Sequence, residues 1–235
     1  MYLNLIYVII FGVVIFMNIN YDDRLNDIIK EHTSKGEVPR VLLHSCCGPC
    51  SSYVIEYLSK YFYLTIIYYN PNISPREEYE KRKMEQIRVI NEMNTKYSVD
   101  IIDCDYDNDL YERNIIGLEN EPERGRRCDV CFRMRLYKTG VVAKENNYDY
   151  FCTTLTVSPY KNSKVINEIG FDVGHELGIS YLASDFKKRD GYKRSIELSR
   201  EFGLYRQVYC GCKYSKEVYE RKLKEKEKEL LALAN

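Results

Sequence analysis

Apolar residues fall along the chain in short blocks separated by longer polar and charged stretches. Val41-Leu42-Leu43-His44 reads as a buried strand, and residues 64–69, 99–103 and 150–156 read as three more. Between them lie segments with helical patterning, at about residues 22–32, 51–61, 76–96 and 135–146. Asn70-Pro71-Asn72-Ile73-Ser74-Pro75 breaks the chain after the second strand. Further helices fit residues 161–169, 195–201 and 215–233, and residues 106–135 are charged and helical in parts. Strands alternating with helices predict an α/β fold, a parallel sheet wrapped by helices. The last helix carries pairs such as Glu217–Arg221 and Glu220–Lys224, the spacing of a solvated helix.

The 235 residues suffice for one α/β domain with a full core. Two units are read: an apolar N-terminal segment, 1–20, and a single catalytic α/β domain, 21–235, with a helical C-terminal tail. Residues 1–17 carry no charge and are at the short limit for a membrane span. They lack the basic start and small-residue cleavage site of a signal peptide. A short anchor, a buried accessory helix, and an upstream extension ahead of a true start at Met17 are the three readings. The last is preferred, because thiol and cluster chemistry belongs in the cytoplasm.

Lys+Arg and Asp+Glu number 35 each, so no global field attracts a polyanion, and any nucleic-acid surface must be local. The nine cysteines change the picture most. They gather as Cys46, Cys47 and Cys50, then Cys128 and Cys131, then Cys210 and Cys212, with Cys104 and Cys152 alone. A secreted disulfide scaffold would be shorter, with cysteines spread through its loops. Tight clusters instead point to metal or redox chemistry.

The first group follows the first strand and opens a helix, where an α/β sheet binds ligands and where the helix end favours thiolate. The second, a C-x-x-C, sits beside Arg124, Arg126 and Arg127. Together they offer five thiols, enough for zinc or for a cubane cluster, and spacing does not choose. Cys210-Gly211-Cys212 could bond only across a very small ring, which suits an easily reduced redox pair; two further metal ligands are the other reading. Cys104 and Cys152 read as structural thiols. The rival readings are a structural zinc protein or zinc-dependent nucleic-acid binder on the same cysteines, a metal-free thiol–disulfide oxidoreductase, and an ATP-dependent relative of the nucleotide α-hydrolases. The loop after the first strand, however, offers thiols where a phosphate cradle would need Gly and Ser.

Six runs in order carry a family resemblance: His44-Ser45-Cys46-Cys47-Gly48-Pro49-Cys50, Asn70-Pro71-Asn72-Ile73, Gly125-Arg126-Arg127-Cys128-Asp129-Val130-Cys131, Thr153-Thr154-Leu155-Thr156-Val157-Ser158-Pro159-Tyr160-Lys161, Asp185-Phe186-Lys187-Lys188, and Leu204-Tyr205-Arg206-Gln207-Val208-Tyr209-Cys210-Gly211-Cys212. The chain resembles the cobalamin-independent epoxyqueuosine reductase (QueH) family from about Val41 to Ser215. Cys152, where the family has Thr, and the apolar N-terminus are its departures.

The resemblance implies an oxidoreductase that reduces the epoxide of epoxyqueuosine, at the tRNA wobble position, to the alkene of queuosine. It implies a Rossmann-like fold similar to the nucleotide α-hydrolase (HUP) group. It also implies a 4Fe–4S cluster on Cys46, Cys47, Cys128 and Cys131, with Cys210 and Cys212 as a redox-active disulfide. One additional metal ion, iron, is expected near the cluster, with Cys50 as its candidate ligand. The reaction takes two electrons, so cluster and dithiol are expected to act together, fed by an external electron donor. Asp129, Tyr160, Lys161 and Tyr209 are candidate proton donors.

A tRNA substrate calls for local basic surface and stacking aromatics. Two patches qualify, Arg124/Arg126/Arg127/Arg133/Arg135 and Lys187/Lys188/Arg189/Lys193/Arg194. Tyr69, Tyr160, Tyr192 and Tyr205 are the aromatics. The substrate-binding set singled out is Arg126, Arg127, Tyr160, Lys161, Lys187 and Lys188.

Overall fold

A computed structural model describes residues 19–233 and the backbone of two short strands, β1 (Ile9–Ile10) and β2 (Val13–Val14), which pair antiparallel. Apart from those strands, the readings placed on residues 1–17 lie outside the described residues. No described helix is long and apolar enough to cross a membrane.

The remaining strands are β3 (Arg40–His44), β4 (Tyr63–Tyr68), β5 (Asp100–Asp103), β6 (Tyr150–Thr153) and β7 (Ser180–Tyr181). They form one sheet in the order β5-β4-β3-β6-β7, and every pairing is parallel. The first strand of this sheet in sequence, β3, lies in the centre. The order reverses there, between β4 on one side and β6 on the other. That is the switch point of a Rossmann-like sheet, where the strand ends diverge and leave a crevice.

Burial follows the strand period of two. Val41 and Leu43 face one layer of core with Leu64, Ile66 and Cys152, and pack on Val54, Ile55 and Leu58. Leu42 points the other way, with Ile67 and Phe151, onto Phe132, Leu136 and Val173. Both faces are covered, which is why β3 reads as a continuous apolar run instead of an alternating one. A Leu42→Ala change would cost about 2–5 kcal/mol on this basis. Cys152 is fully buried and donates to the Leu182 carbonyl at 3.2 Å, the structural part expected of it.

Among the described residues, eight α-helices surround the sheet: α1 (Tyr21–Lys35), α2 (Gly48–Leu58), α3 (Arg76–Glu92), α4 (Asn108–Asn114), α5 (Arg126–Glu145), α6 (Ser163–Leu177), α7 (Gly191–Glu201) and α8 (Lys213–Leu233). Several element boundaries differ from the sequence reading, and α6 runs on to Leu177, well past its expected end at residue 169. Helix α5 begins at Arg126, nine residues before the expected start, because its first turns are capped by Gly125 and anchored by the buried Arg127. The strand expected through residue 156 stops at Thr153. There the Thr153 hydroxyl accepts from the Leu155 N–H and turns the chain into a 3-10 turn, Thr154–Val157. Helix α3 ends at Glu92, where Met93 is already extended.

The first turn of α7 packs directly on α2. A Cβ on Gly191 would meet the Phe186 carbonyl oxygen and the Tyr53 ring. Gly191→Ala is therefore expected to destabilise the protein by about 1–3 kcal/mol. A thermal melt should fall while the folded fraction keeps its activity; an unchanged melting temperature would contradict this packing.

Candidate active site

The site is built at the carboxyl ends of β3, β4 and β6. His44, the last residue of β3, is fully buried. Its Nε2 lies 3.2 Å from the Tyr69 carbonyl, which can only accept, so Nε2 carries the proton. Nδ1 then accepts from the Thr153 hydroxyl at 2.9 Å. Burial, and the Arg135 charge after it, push His44 down to about 3, so it is neutral. The imidazole thus ties three strand ends together directly beneath the first cysteines.

Cys47 is the N-cap of α2, with Gly48 and Pro49 opening the helix. The turn brings the sulfurs of Cys46, Cys47 and Cys50 within 4.8 Å of one another. Cys46 Sγ lies 3.7 Å from Cys47 Sγ and 3.7 Å from the Thr154 hydroxyl. Hydrogen bonds from Cys47 and Cys50 hold the Cys46 thiol well below the ordinary range. The same contacts push Cys47 up to about 12 and raise Cys50. One sulfur of the three thus takes the negative charge first and the others donate to it. Gln207 also donates to Cys47 Sγ, at 2.8 Å.

Cys128 lies in the first turn of α5 and Cys131 one turn on, on the same face. Cys128 Sγ accepts from the Arg124 N–H at 3.3 Å. Both thiols line a cavity of about 380 Å³ together with Cys210, Cys212, Arg135 and Lys161. A neighbouring cleft of about 640 Å³ is lined by Cys46, Cys50, Cys210, Arg135 and Lys161. The two spaces share a common wall that includes Cys210, Arg135, Tyr160 and Lys161, with Glu123 and Arg124 at its edge. Cys210 and Cys212 are free thiols here, as are all nine cysteines.

Two cations stand in this wall with no carboxylate partner among the described residues. Arg135 is 2% exposed, its Nε donates to the Cys131 carbonyl, and its Nη2 has no partner. Burial works against its charge, but the sulfurs of Cys131, Cys210 and Cys46 more than offset this. Lys161 is raised in the same way by Cys210, Cys46 and Cys50, again against burial. A buried cation without a carboxylate costs several kcal/mol unless another anion faces it. Thiolates, or a thiolate-held metal cluster, supply that anion. The donor set and its charge balance fit such a group.

The expected substrate residues separate into two kinds. Tyr160, 64% exposed, and Lys161 line both the cavity and the cleft. Arg127 lines the cavity, but its Nη1 is taken by the carbonyls of Leu118, Glu119 and Glu121, so it anchors a loop. Arg126 is exposed outside both linings. Lys187 pairs with Asp185 at 2.6 Å, and Lys188 is exposed away from the cavity.

In the same second patch, Arg189 pairs with Asp22, and Arg194 with Glu56. Three of its five cations are thus neutralised within the fold. Arg133 likewise pairs with Glu176. Among the aromatics, Tyr69 is core, and the Tyr205 hydroxyl is held by Glu78, while Tyr192 lines the cleft. Of the proton donors, Asp129 lines the cavity and is raised by burial, then by Glu121. Tyr209 lines the cleft and is also raised by burial.

Gln207, Asn72 and Tyr111 were not expected at the site. Asn72 is buried in the cavity wall with its Oδ1 unpartnered, and Tyr111 is buried beside it. Asn72 and Gln207 lie inside the motif runs, yet nothing in the spacing separates them from their neighbours.

Comparison with known proteins agrees with this geometry. The family described as "Epoxyqueuosine reductase QueH" matches residues 41–218. A Streptococcus pyogenes protein is 44% identical over 199 residues, 84% of this chain and 78% of that one. A Staphylococcus epidermidis protein is 44% identical over 201 residues, 84% of each chain. A Thermotoga maritima protein is 32% identical over 181 residues, 74% of this chain and 89% of its own. All three carry the name epoxyqueuosine reductase QueH. With its cysteine groups, its parallel sheet and this match over most of its length, the chain belongs to the epoxyqueuosine reductase QueH family.

Proposed function

We propose that this protein reduces the epoxide of epoxyqueuosine in tRNA to the alkene of queuosine. The observation that carries the reading is the gathering of six thiols around two adjoining spaces, with Arg135 and Lys161 beside them and in no ion pair with a carboxylate among the described residues. Cys46, Cys47, Cys128 and Cys131 would hold a 4Fe–4S cluster, and Cys50 would serve one additional iron. When bound, the cluster supplies electrons to the site. Arg135 and Lys161 offset the charge of the thiolates around it, and Gln207 donates to one of the ligand sulfurs.

The reaction removes one oxygen. Both C–O bonds of the epoxide break, a C=C bond forms, and two electrons and two protons leave the oxygen as water. Cys210 and Cys212 can provide both electrons and both protons by closing their disulfide, and an external reductant reopens it. Cys210, at the junction of cavity and cleft, is placed to face the substrate; Asp129, Lys161 and Tyr209 are the proton donors at hand. Once the wobble nucleotide is in the cleft, water is displaced from the buried thiols, which favours reduction over hydrolysis of the strained ring.

The anticodon would enter over Tyr160 and Lys161, with the exposed Arg126 and Lys188 as further contacts to backbone phosphate; Arg127 and Lys187, held by the loop carbonyls and by Asp185, are left out of that set. Tyr160 presents its ring to solvent at the mouth of both spaces, suited to stacking on a base. Stacking contributes about 1–3 kcal/mol per base. Tyr160→Ala is expected to raise KM for tRNA roughly tenfold with kcat little changed, measured under anaerobic steady-state conditions; an unchanged KM would remove Tyr160 from the interface.

Expression of the chain in cells that accumulate epoxyqueuosine tests the activity itself. Nucleoside analysis of bulk tRNA should show queuosine in its place. Persistence of epoxyqueuosine, with the protein present and metal-loaded, would defeat the reading.

A further inference from the structure

Helix α3 carries an arginine that the cysteine motifs do not account for. Arg82 is 2% exposed, one of the largest fully buried side chains. Its Nε donates to Glu78 Oε1 at 2.7 Å. Its Nη1 donates to the Cys210 carbonyl at 3.0 Å and its Nη2 to the Tyr209 carbonyl at 3.5 Å. Glu78 is fixed in turn by the Tyr205 hydroxyl, 3.2 Å from both carboxylate oxygens. One planar guanidinium thus joins α3 to the backbone of the Cys210-Gly211-Cys212 loop, with a half-buried carboxylate balancing its charge.

The loop is tight around this group. Gly211 has φ +129, and a Cβ there would lie 3.0 Å from Arg82 Nη1 and 3.0 Å from Ile73 Cγ1. The Ser74 N–H donates to the Gly211 carbonyl at 3.0 Å. Cys212 is held separately: its Sγ accepts from the Ser215 N–H at 3.4 Å, at the start of α8. Carbonyls 209 and 210 belong to Arg82, carbonyl 211 to Ser74, and the second sulfur to α8. This is the loop as it stands with both thiols free.

We propose that Arg82 is the positioning residue of the Cys210–Cys212 pair, holding the loop in its dithiol conformation and setting the potential at which the pair cycles. Resting on the reading of these two cysteines as redox partners, the inference adds what controls them. Closing a disulfide across one residue requires the two Cβ atoms to approach to about 3.5–4.5 Å, and so requires the intervening carbonyls to turn. Arg82 resists that turn. Its positive charge beside Cys210 also favours the reduced, thiolate-bearing state. Both effects make the pair more oxidising, so removing Arg82 should make it more reducing. A pair that is too reducing stays closed, and turnover slows at re-reduction.

The test equilibrates the metal-loaded protein anaerobically in glutathione redox buffers. The exchange is Cys210-SH + Cys212-SH + GSSG giving the intramolecular disulfide and two GSH. Free thiols are alkylated, and trypsin releases Gln207 to Lys213, a peptide with only these two cysteines. In Arg82→Gln the equilibrium should move at least tenfold toward disulfide, about 30 mV more negative. Arg82→Lys, which keeps the charge but not the fork, should move less in the same direction. The kcat should fall while KM for tRNA holds.

An Arg82→Gln protein with a normal melt and an equilibrium within twofold of the parent would overturn the inference. Where Arg82→Gln does not fold, Arg82→Lys, which keeps the charge and loses the fork, must still move the equilibrium toward disulfide, or the inference fails. Full turnover by a Cys210→Ser/Cys212→Ser variant would instead defeat the redox reading of the pair. The two failures are thus distinguishable.

Discussion

Replacing Cys46 by serine should cost the protein its cofactor and its activity together. Cys46 is the sulfur toward which Cys47 and Cys50 both direct their thiols, and it is the one held well below the ordinary thiol range. It is also the thiol of that group facing both Thr154 and the cleft. A serine hydroxyl cannot take up that charge, and once the contacts with Cys46 are gone burial still works against a thiolate at Cys47 and Cys50. Bound iron per chain should fall sharply after anaerobic reconstitution. Turnover should fall by more than about a hundredfold, the ceiling for residues that only support a ligand. Cys104→Ser is the matched control. That thiol packs half-buried against the core away from both spaces, so iron content and turnover should persist. Iron retained in Cys46→Ser, or zinc bound by the parent protein, would contradict the assignment.

The second large effect separates electron handling from cofactor binding. A Cys210→Ser/Cys212→Ser double variant should keep its iron and its colour, yet lose turnover by on the order of a hundredfold or more with a chemical reductant. Cys210 lines the cavity that holds Cys128 and Cys131 and also the cleft that holds Cys46 and Cys50. Cys212 is 8% exposed and tied to the first turn of α8. One thiol faces the reaction and the other is held behind it, the arrangement a dithiol needs to close after delivering two electrons. Single-turnover analysis of the pre-reduced parent should yield one product per chain without added reductant, and the double variant none. Full activity in the double variant would leave the pair without a redox role.

Much of this was legible in the chain, for identifiable reasons. Strands β3, β4 and β6 are buried on both faces, so their apolar runs are continuous and bounded by turns. Strand β7 has only two residues and left no pattern to read. The cysteine groups stood out because thiols at helix starts are chemically costly to keep without use. The start of α5 was hidden by its arginines: Arg127 and Arg135 look like surface charge, yet both are buried, one capping a loop and one facing sulfur.

Arg82 was hidden for the same reason, within a helix of alternating Glu, Lys and Arg where neighbours at one turn differ wholly in burial. The second basic patch illustrates the converse. Arg189 and Arg194 follow a motif closely in sequence, but Asp22 and Glu56 reach them from elsewhere in the fold, whereas Lys187 pairs with its near neighbour Asp185. Charge partners brought by tertiary structure cannot be seen in a linear pattern.

Anaerobic incubation of the iron-loaded protein with epoxyqueuosine-bearing tRNA and a chemical reductant, followed by nucleoside mass analysis, tests the central claim most directly. The account predicts conversion to queuosine, one oxygen lighter, in proportion to protein and time. Epoxyqueuosine recovered unchanged from a brown, iron-loaded, tRNA-binding preparation would contradict it.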